Sequence, residues 1–282
     1  MSEPVILVPL DGSDQALAAV PVARVLAQIE RAQVRVLHVG ERAAADAELR
    51  DRLGHGTPAL DGLTIETRVG KPAMQILEAE REMAARLIVM CKHSGAAEGK
   101  VLGRTALKVL RDASCPVVLV PPERGVVPWH LQHVLVPHDG TPTTSAAIQP
   151  AAQLASRADA ALLVAHVTDV GAAPPEPGSF TTPRYLDQPQ HEWPAWSNEF
   201  VKRLACICPL DHLHVRLFLA RGNPAEEILR LSEKQSTDLV VLAWKGIWEF
   251  PHAAILRGVL GLATCPIMVV RVSAGQEDAP AI

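Results

Sequence analysis

Two aspartates carry the chemistry this sequence can do. Asp11 lies in Val8-Pro9-Leu10-Asp11-Gly12-Ser13, and Asp139 in Val136-Pro137-His138-Asp139-Gly140-Thr141. Each follows an apolar run, Val5 to Val8 or Val134 to Val136, and precedes an alanine-rich stretch with helical spacing. That order predicts a buried strand, a tight turn and a helix, with Ser13 or Thr141 placed to cap the helix. The carboxylates then stand at the carboxyl ends of strands, where open α/β sheets put their ligand sites. A lone aspartate before glycine most simply caps its own turn. Two of them at equivalent strand ends, each facing a later loop that enters a helix, argue for binding. An anion there meets free backbone N–H groups and the positive end of a helix dipole, so phosphate binding is the indicated chemistry. Catalysis is not indicated. The sequence holds no Gly-x-Ser-x-Gly elbow, no P-loop ending in Gly-Lys-Ser/Thr, no His-Glu-x-x-His and no Gly-x-Gly-x-x-Gly after its first strand.

The elements that must position these residues follow from periodicity. Leu17, Val20, Val22, Val25, Leu26 and Ile29 recur at helical intervals, and Val34 to Val39 alternates as a strand. Residues 41 to 60 read as a short surface helix and a loop, and Leu63 to Val69 as a further strand. Gly70-Lys71-Pro72 opens a helix with proline in its first turn. Leu87-Ile88-Val89-Met90 is an unbroken apolar run, as in a central parallel strand covered on both faces. A loop from Cys91 to Leu102, a helix from about Gly103 to Ala113 and a strand to Val120 close the series. Strands alternating with helices predict an α/β fold with a doubly wound parallel sheet.

The series then starts again. Asp139 follows Asp11 by 128 residues, as His166 follows His38, whereas Gly222-Asn223-Pro224-Ala225 follows Gly70-Lys71-Pro72-Ala73 by 152. The longer offset locates an insertion of 24 residues between His166 and Gly222. It contains a proline-rich loop at 171–178, then Trp193, Trp196, Phe200 and Leu204 at helical spacing, whose expected use is packing on their own domain. The predicted domains are 1–124 and 128–275, the second with its insertion at about 168–205, followed by a tail at 276–282.

Bulk properties narrow the function. The 282 residues are 48% apolar with a formal net charge of −4, acids and bases being interspersed. This gives no basic face for nucleic acid and no polybasic patch for membranes. Apolar runs fall short of the roughly 20 residues of a membrane span, and the N-terminus lacks the pattern of a signal peptide, so a cytoplasmic location is expected. Five cysteines, with Cys115 and Cys265 in equivalent Cys-Pro positions, read as free packed thiols. Cys206-Ile-Cys208 lacks a second pair at zinc spacing, so no metal is expected. His38 and His166 read as strand-end residues.

Four motifs occur in the same order twice: Val-Pro-x-Asp-Gly-Ser/Thr, Gly-x-Pro-Ala, an apolar strand, and Cys-Pro before the last strand. Together they resemble the universal stress protein family, here as a tandem pair. The resemblance implies two repeated five-stranded parallel sheets in 3-2-1-4-5 order, arranged about a pseudo-two-fold and paired through the last strand of each half. It also implies a non-enzymatic stress-response binding or regulatory protein and a homo-oligomer such as a dimer, with a protein partner the sequence does not name.

ATP-binding members of that family carry Gly-x-x-Gly, nine residues, then Gly-Ser/Thr. Here Cys91-Lys92-His93-Ser94 replaces the first glycines, and Gly103 precedes Arg104 and Thr105. In the second half Ala243-Trp244-Lys245-Gly246 leads to Ala253-Ala254. Replacing glycine at positive φ costs about 1–2 kcal/mol per residue, against the roughly 8 kcal/mol of a micromolar ligand. The expectation is weak binding of ATP or another adenine nucleotide in the first half, with Arg104 or Lys92 pairing with phosphate. The candidate site is Pro9, Asp11, Gly12, Ser13, Val39, Cys91, Ser94, Gly103, Arg104 and Thr105, with Asp139 as the counterpart in the second half. The alternative is an interaction module with relic pockets, contacting its partner through residues 171–200.

Overall fold

The computed structural model describes residues 3–40, 58–93, 101–168, 198–206, 213–249 and 253–272. The surface helix expected after residue 40, the loop at 171–178, Trp193, Trp196, Ser94, Cys208 and the tail lie outside the described residues. In chain order the first repeat contributes β1 (Val5–Leu10), α1 (Ala19–Glu30), β2 (Gln33–Gly40), β3 (Thr64–Val69), α2 (Pro72–Glu82), β4 (Leu87–Cys91), α3 (Arg104–Asp112) and β5 (Val117–Val120). The second contributes β6 (His133–Pro137), α4 (Ile148–Ala158), β7 (Ala161–Thr168), α5 (198–206), β8 (Val215–Arg221), α6 (Pro224–Lys234), β9 (Leu239–Trp244), α7 (Ala254–Leu262) and β10 (Ile267–Arg271).

The chain divides into two units. The first comprises Met1–His130 with Leu260–Arg271, and the second Leu131–Val259 with Val272–Ile282. In the first, the strand order is β3-β2-β1-β4-β5 followed by β10. The strands from β3 to β5 are parallel, and β10 joins β5 antiparallel with Ile267 opposite Leu119. In the second, the order is β9-β6-β7-β8, all parallel. The second repeat carries the five strands expected of it, β6 to β10, and β10 is grouped with the first unit, where it covers the edge of β5 that would otherwise present unpaired backbone. The last strands of the two repeats thus pair as the family resemblance implied.

Local sequence explains the elements. β1 is buried from Ile6 to Leu10 and β4 throughout, as unbroken apolar runs require. Pro21 and Pro150 both occupy the third position of a helix, within the first turn, where a missing N–H loses no intrahelical bond. Pro72 and Pro224 both stand at the first position of theirs. The helix expected over Leu17 to Ile29 is preceded and begun by a 3₁₀ segment, Asp14–Ala18, capped by Ser13, before α1 takes over. Buried Glu80 ties α2 to the turn before β5, accepting from the Ser114 backbone N–H at 3.2 Å and from the Ser114 hydroxyl. Phe200 and Leu204 of α5 are buried, so that face of the insertion packs inward.

Helix packing in the second unit leaves one position with no room. A Cβ built on Gly258 of α7 would lie 2.7 Å from the Cβ of Ala225 in the first turn of α6. Glycine to alanine inside a helix ordinarily stabilises by about 0.5–1 kcal/mol. Here overpacking reverses the sign, so Gly258→Ala destabilises by about 1–3 kcal/mol in denaturant melts.

Candidate functional site

The site forms where strands of the first unit part. β1 pairs with β2 up to Leu10 opposite His38, but with β4 only at Ile6 and Leu7. Beyond Leu7 a cleft of about 250 Å³ opens at the carboxyl ends, at the point where strand order reverses. Pro9 and Leu37 face it from paired positions, and with Val39, Pro72 and Ile76 they make an apolar slot. The opposite wall is polar, formed by Asp11, Lys92, His93, Gly103, Arg104 and Thr105.

Each polar group is placed by its own local bonds. Gly12 at φ 88° makes the tight turn, and Asp11 Oδ1 accepts from the Ser13 N–H at 3.0 Å and the Ser13 hydroxyl at 2.7 Å. Ser13 Oγ in turn accepts from the Ala16 N–H. Across the cleft, Gly103 caps α3 without a side chain, and its N–H donates to the Lys92 carbonyl at 2.9 Å. The first turn of α3, through Ala106, lines the cleft and leaves leading N–H groups for an anion. Arg104 is exposed at this rim and has no ion-pair partner among the described residues. Burial pushes the Cys91 thiol up to about 11, and its Sγ–H donates to the His93 carbonyl at 2.8 Å. Burial, with Lys92 adjacent, lowers the His93 pKa, so that imidazole is neutral at pH 7. Burial and then nearby Glu80 push Cys115 up to about 12. Neither thiol is a nucleophile at neutral pH.

The second unit repeats the plan with its apolar slot lost. A cleft of about 230 Å³ is lined by Asp139, Thr141, Thr143, Thr144, Ala243, Trp244, Lys245 and Ile247. Asp139 Oδ1 accepts from the Thr141 N–H at 2.9 Å and the Thr144 hydroxyl at 2.7 Å, the same turn that Asp11 makes. Trp244 stands where the first unit has Lys92, and its indole N–H donates to the Ile247 carbonyl at 3.0 Å. Ala165 and Ile228, the counterparts of Leu37 and Ile76, do not reach this cleft.

The cleft therefore gathers Pro9, Asp11, Val39, Cys91, Gly103, Arg104 and Thr105 of the sequence candidates. Gly12 and Ser13 build the turn behind Asp11, Asp139 belongs to the other unit, and Ser94 lies outside the described residues. The backbone strain expected of a non-glycine residue is absent at Cys91, and Ser94 lies outside the described residues. Among described non-glycine residues, positive φ occurs at Arg31, Ala84, Asp159 and Ser236, not at Cys91, Lys92 or His93. Cys91 ends a strand and Gly103 has φ −67°, so neither position demands glycine. The Cys91 side chain lies in the cleft instead, filling space that a glycine would leave. Sequence reasoning missed Leu37, Pro72 and Ile76. Leu37 was available from its alternation with Val39, and the other two from their one-turn spacing after Gly70.

The fold and cleft define a class: a repeated α/β unit with a ligand-sized opening at the strand ends and a helix N-terminus beside it. The profile of the universal stress protein family matches residues 4–121 and again 130–271, and the chain belongs to that family. It is 29% identical over 202 residues to a universal stress protein of Mycobacterium tuberculosis, covering 67% of this chain and 62% of that relative's length. A universal stress protein of Thermus aquaticus is 35% identical over 136 residues, 41% of this chain and 96% of its own. The crystal structure of a universal stress protein from Archaeoglobus fulgidus shares the fold, with a TM-score of 0.65 at 16% identity over 96% of this chain and 99% of that one.

Two histidines brace the strand ends. The His38 Nδ1–H donates to the Leu10 carbonyl at 2.9 Å, and the His166 Nδ1–H to the His138 carbonyl at 2.8 Å. In the second unit His138 replaces Leu10 and is itself buried. Its Nδ1 accepts from the Gly140 N–H at 2.9 Å, its Nε2 lies 3.2 Å from the Ser145 hydroxyl, and Phe200 sets an edge against both rings. Burial pushes His138 down to about 3, with Asp139 opposing, and burial also lowers His166. A histidine depressed in the folded state stays neutral while the unfolded chain takes up its proton, so stability falls as pH drops below the ordinary value of 6.5. Replacing His138 by the leucine of the first repeat removes its share. Between pH 7 and pH 5 the wild type should lose about 2 kcal/mol more unfolding free energy than His138→Leu in urea melts.

Proposed function

We propose that this protein is a non-enzymatic regulatory member of its family that binds an adenine nucleotide weakly in the first unit. The observation that carries this reading is the two-sided cleft. The slot of Pro9, Leu37, Val39 and Ile76 suits a base, Asp11 suits a ribose hydroxyl, and the uncapped first turn of α3 with Arg104 suits a phosphate. At about 250 Å³ the cleft is below the usual range of ligand pockets, roughly 300–1,000 Å³, which favours a monophosphate over a fully enclosed triphosphate. The second unit, without the slot, binds no nucleotide in this reading. Protonated Cys91 and Cys115 and a neutral His93 support a binding role over a chemical one. Free thiols at all four described cysteines favour a reducing, cytoplasmic setting.

Calorimetry with AMP, ATP and cyclic AMP tests the reading. One site is expected, with AMP binding in the range of about 0.1–1 mM, equivalent to roughly 4–5.5 kcal/mol. Asp11→Ala should weaken it about tenfold and Asp139→Ala should leave it unchanged, as expected for loss of a single charged hydrogen bond. Absence of heat at millimolar ligand, or equal effects of the two substitutions, would remove the first-unit site.

A further inference from the structure

We propose that the outer edge of β8 is a self-association surface, on which a second copy of this chain lays its own β8 antiparallel, so that two copies join through one continuous sheet. This surface is separate from the nucleotide cleft and does not depend on it. The two repeats treat their outer strands differently. β3 and β8 are equivalent, being followed by Gly70 and Gly222 at the offset of 152, and each ends the strand order of its unit. β3 is guarded by charge: Arg68 pairs with Glu66 and with Glu82 of α2, both at 2.6 Å. Charges on an outer strand discourage pairing with another chain. At the three equivalent positions the second repeat has Phe218, Ala220 and Lys234. Thr67 is likewise replaced by Leu219, which is 40% exposed.

The backbone of β8 is set for a further strand. It pairs with β7 from Leu162 opposite Val215 to Thr168 opposite Arg221, and the Leu162 N–H donates to the His214 carbonyl at 2.9 Å. That bond fixes the alternation of the parallel ladder. Arg216, Phe218 and Ala220 turn their backbone groups toward β7, whereas Val215, Leu217, Leu219 and Arg221 turn theirs outward. Among the described residues nothing bonds these outward N–H and C=O groups. An added strand satisfies all of them at once.

The order of side chains names the occupant. Val215-Arg216-Leu217-Phe218-Leu219-Ala220-Arg221 has Phe218 at its centre, a leucine on either side and an arginine in each half. A two-fold axis at Phe218 pairs the strand along its whole length with the same strand of another copy. Leu217 then meets Leu219 of the partner subunit on one face, and Phe218 meets Phe218 of the partner subunit on the other. Leu217 and Leu219 have outward backbone and take the hydrogen-bonded positions, which leaves Phe218 in the closer, non-hydrogen-bonded one. Arg216 falls opposite Ala220 of the partner subunit and Arg221 opposite Val215 of the partner subunit. Like charges directly opposite each other would resist pairing, and this register has none. Moving the axis away from Phe218 leaves part of the strand unpaired. The interface is isologous and closes at two copies.

Sedimentation velocity of the whole chain, from micromolar to sub-millimolar concentration, should show a reversible dimer. Leu219→Lys places a charge on the edge and should weaken the dimer at least about tenfold, with an unchanged circular dichroism spectrum. Leu219→Thr restores the residue of the first repeat and should weaken it less, which keeps the test open if the lysine variant does not fold. Mild oxidation reads the register. Phe218→Cys should cross-link to its own copy, because non-hydrogen-bonded antiparallel neighbours stand within disulfide reach. Leu219→Cys, set opposite Leu217 instead of itself, should cross-link no more than wild type under the same conditions. A monomer throughout the concentration range, or a dimer indifferent to both Leu219 substitutions, would overturn the proposal. So would a dimer in which Phe218→Cys stays uncross-linked or Leu219→Cys cross-links in its place.

Discussion

One hydrogen bond repeated in both units fixes the mouth of each sheet: an imidazole N–H on the second strand reaching a carbonyl at the end of the first, Leu10 in β1 and His138 just after β6. His38 holds Leu10 and His166 holds His138, both buried. Parallel strands otherwise fray at their carboxyl ends, where the chain leaves for a helix. Here β1 is fastened to β2 on one side while its ladder with β4 stops at Leu7. Opening is thereby confined to one side. The Asp-Gly turn is delivered to the lip of that opening, and the next helix begins at a fixed height above it.

From this common frame the two units have diverged by changing what fills the space around it. The first keeps Leu10 on the braced face, apolar residues along the slot, and a lysine beside the helix start. The second puts His138 where the leucine was and adds Phe200 against both imidazoles. It also replaces the lysine with Trp244. These changes exchange a charged, half-open cleft for a buried aromatic cluster and a smaller hydroxyl-lined recess. Both aspartates survive because each also holds its own turn.

Most of the architecture was legible in the sequence because it depends on local patterns. Unbroken apolar runs marked β1 and β4, prolines marked helix starts, and the constant offset between Asp11 and Asp139 exposed the repeat. What escaped was set by distant partners. Nothing near Leu37, Pro72 or Ile76 tells that β2 and α2 turn them toward one point. Lys92 reads from sequence as a phosphate partner, but its bond to Leu260 spans 168 residues and appears only in the fold.

The lost glycines show how a motif can mislead when its physics is assumed. If glycine were needed for positive φ, Cys91 would carry a strain of about 1–2 kcal/mol. It carries none, because it completes β4 in ordinary extended backbone with its thiol bonded to the His93 carbonyl. Its effect is one of volume: the residue lines the cleft and takes room that a glycine would leave. Strain would weaken every ligand alike, since the loop would be distorted whatever occupied it. Lost volume discriminates by size, so the substitution narrows what a cleft of about 250 Å³ admits.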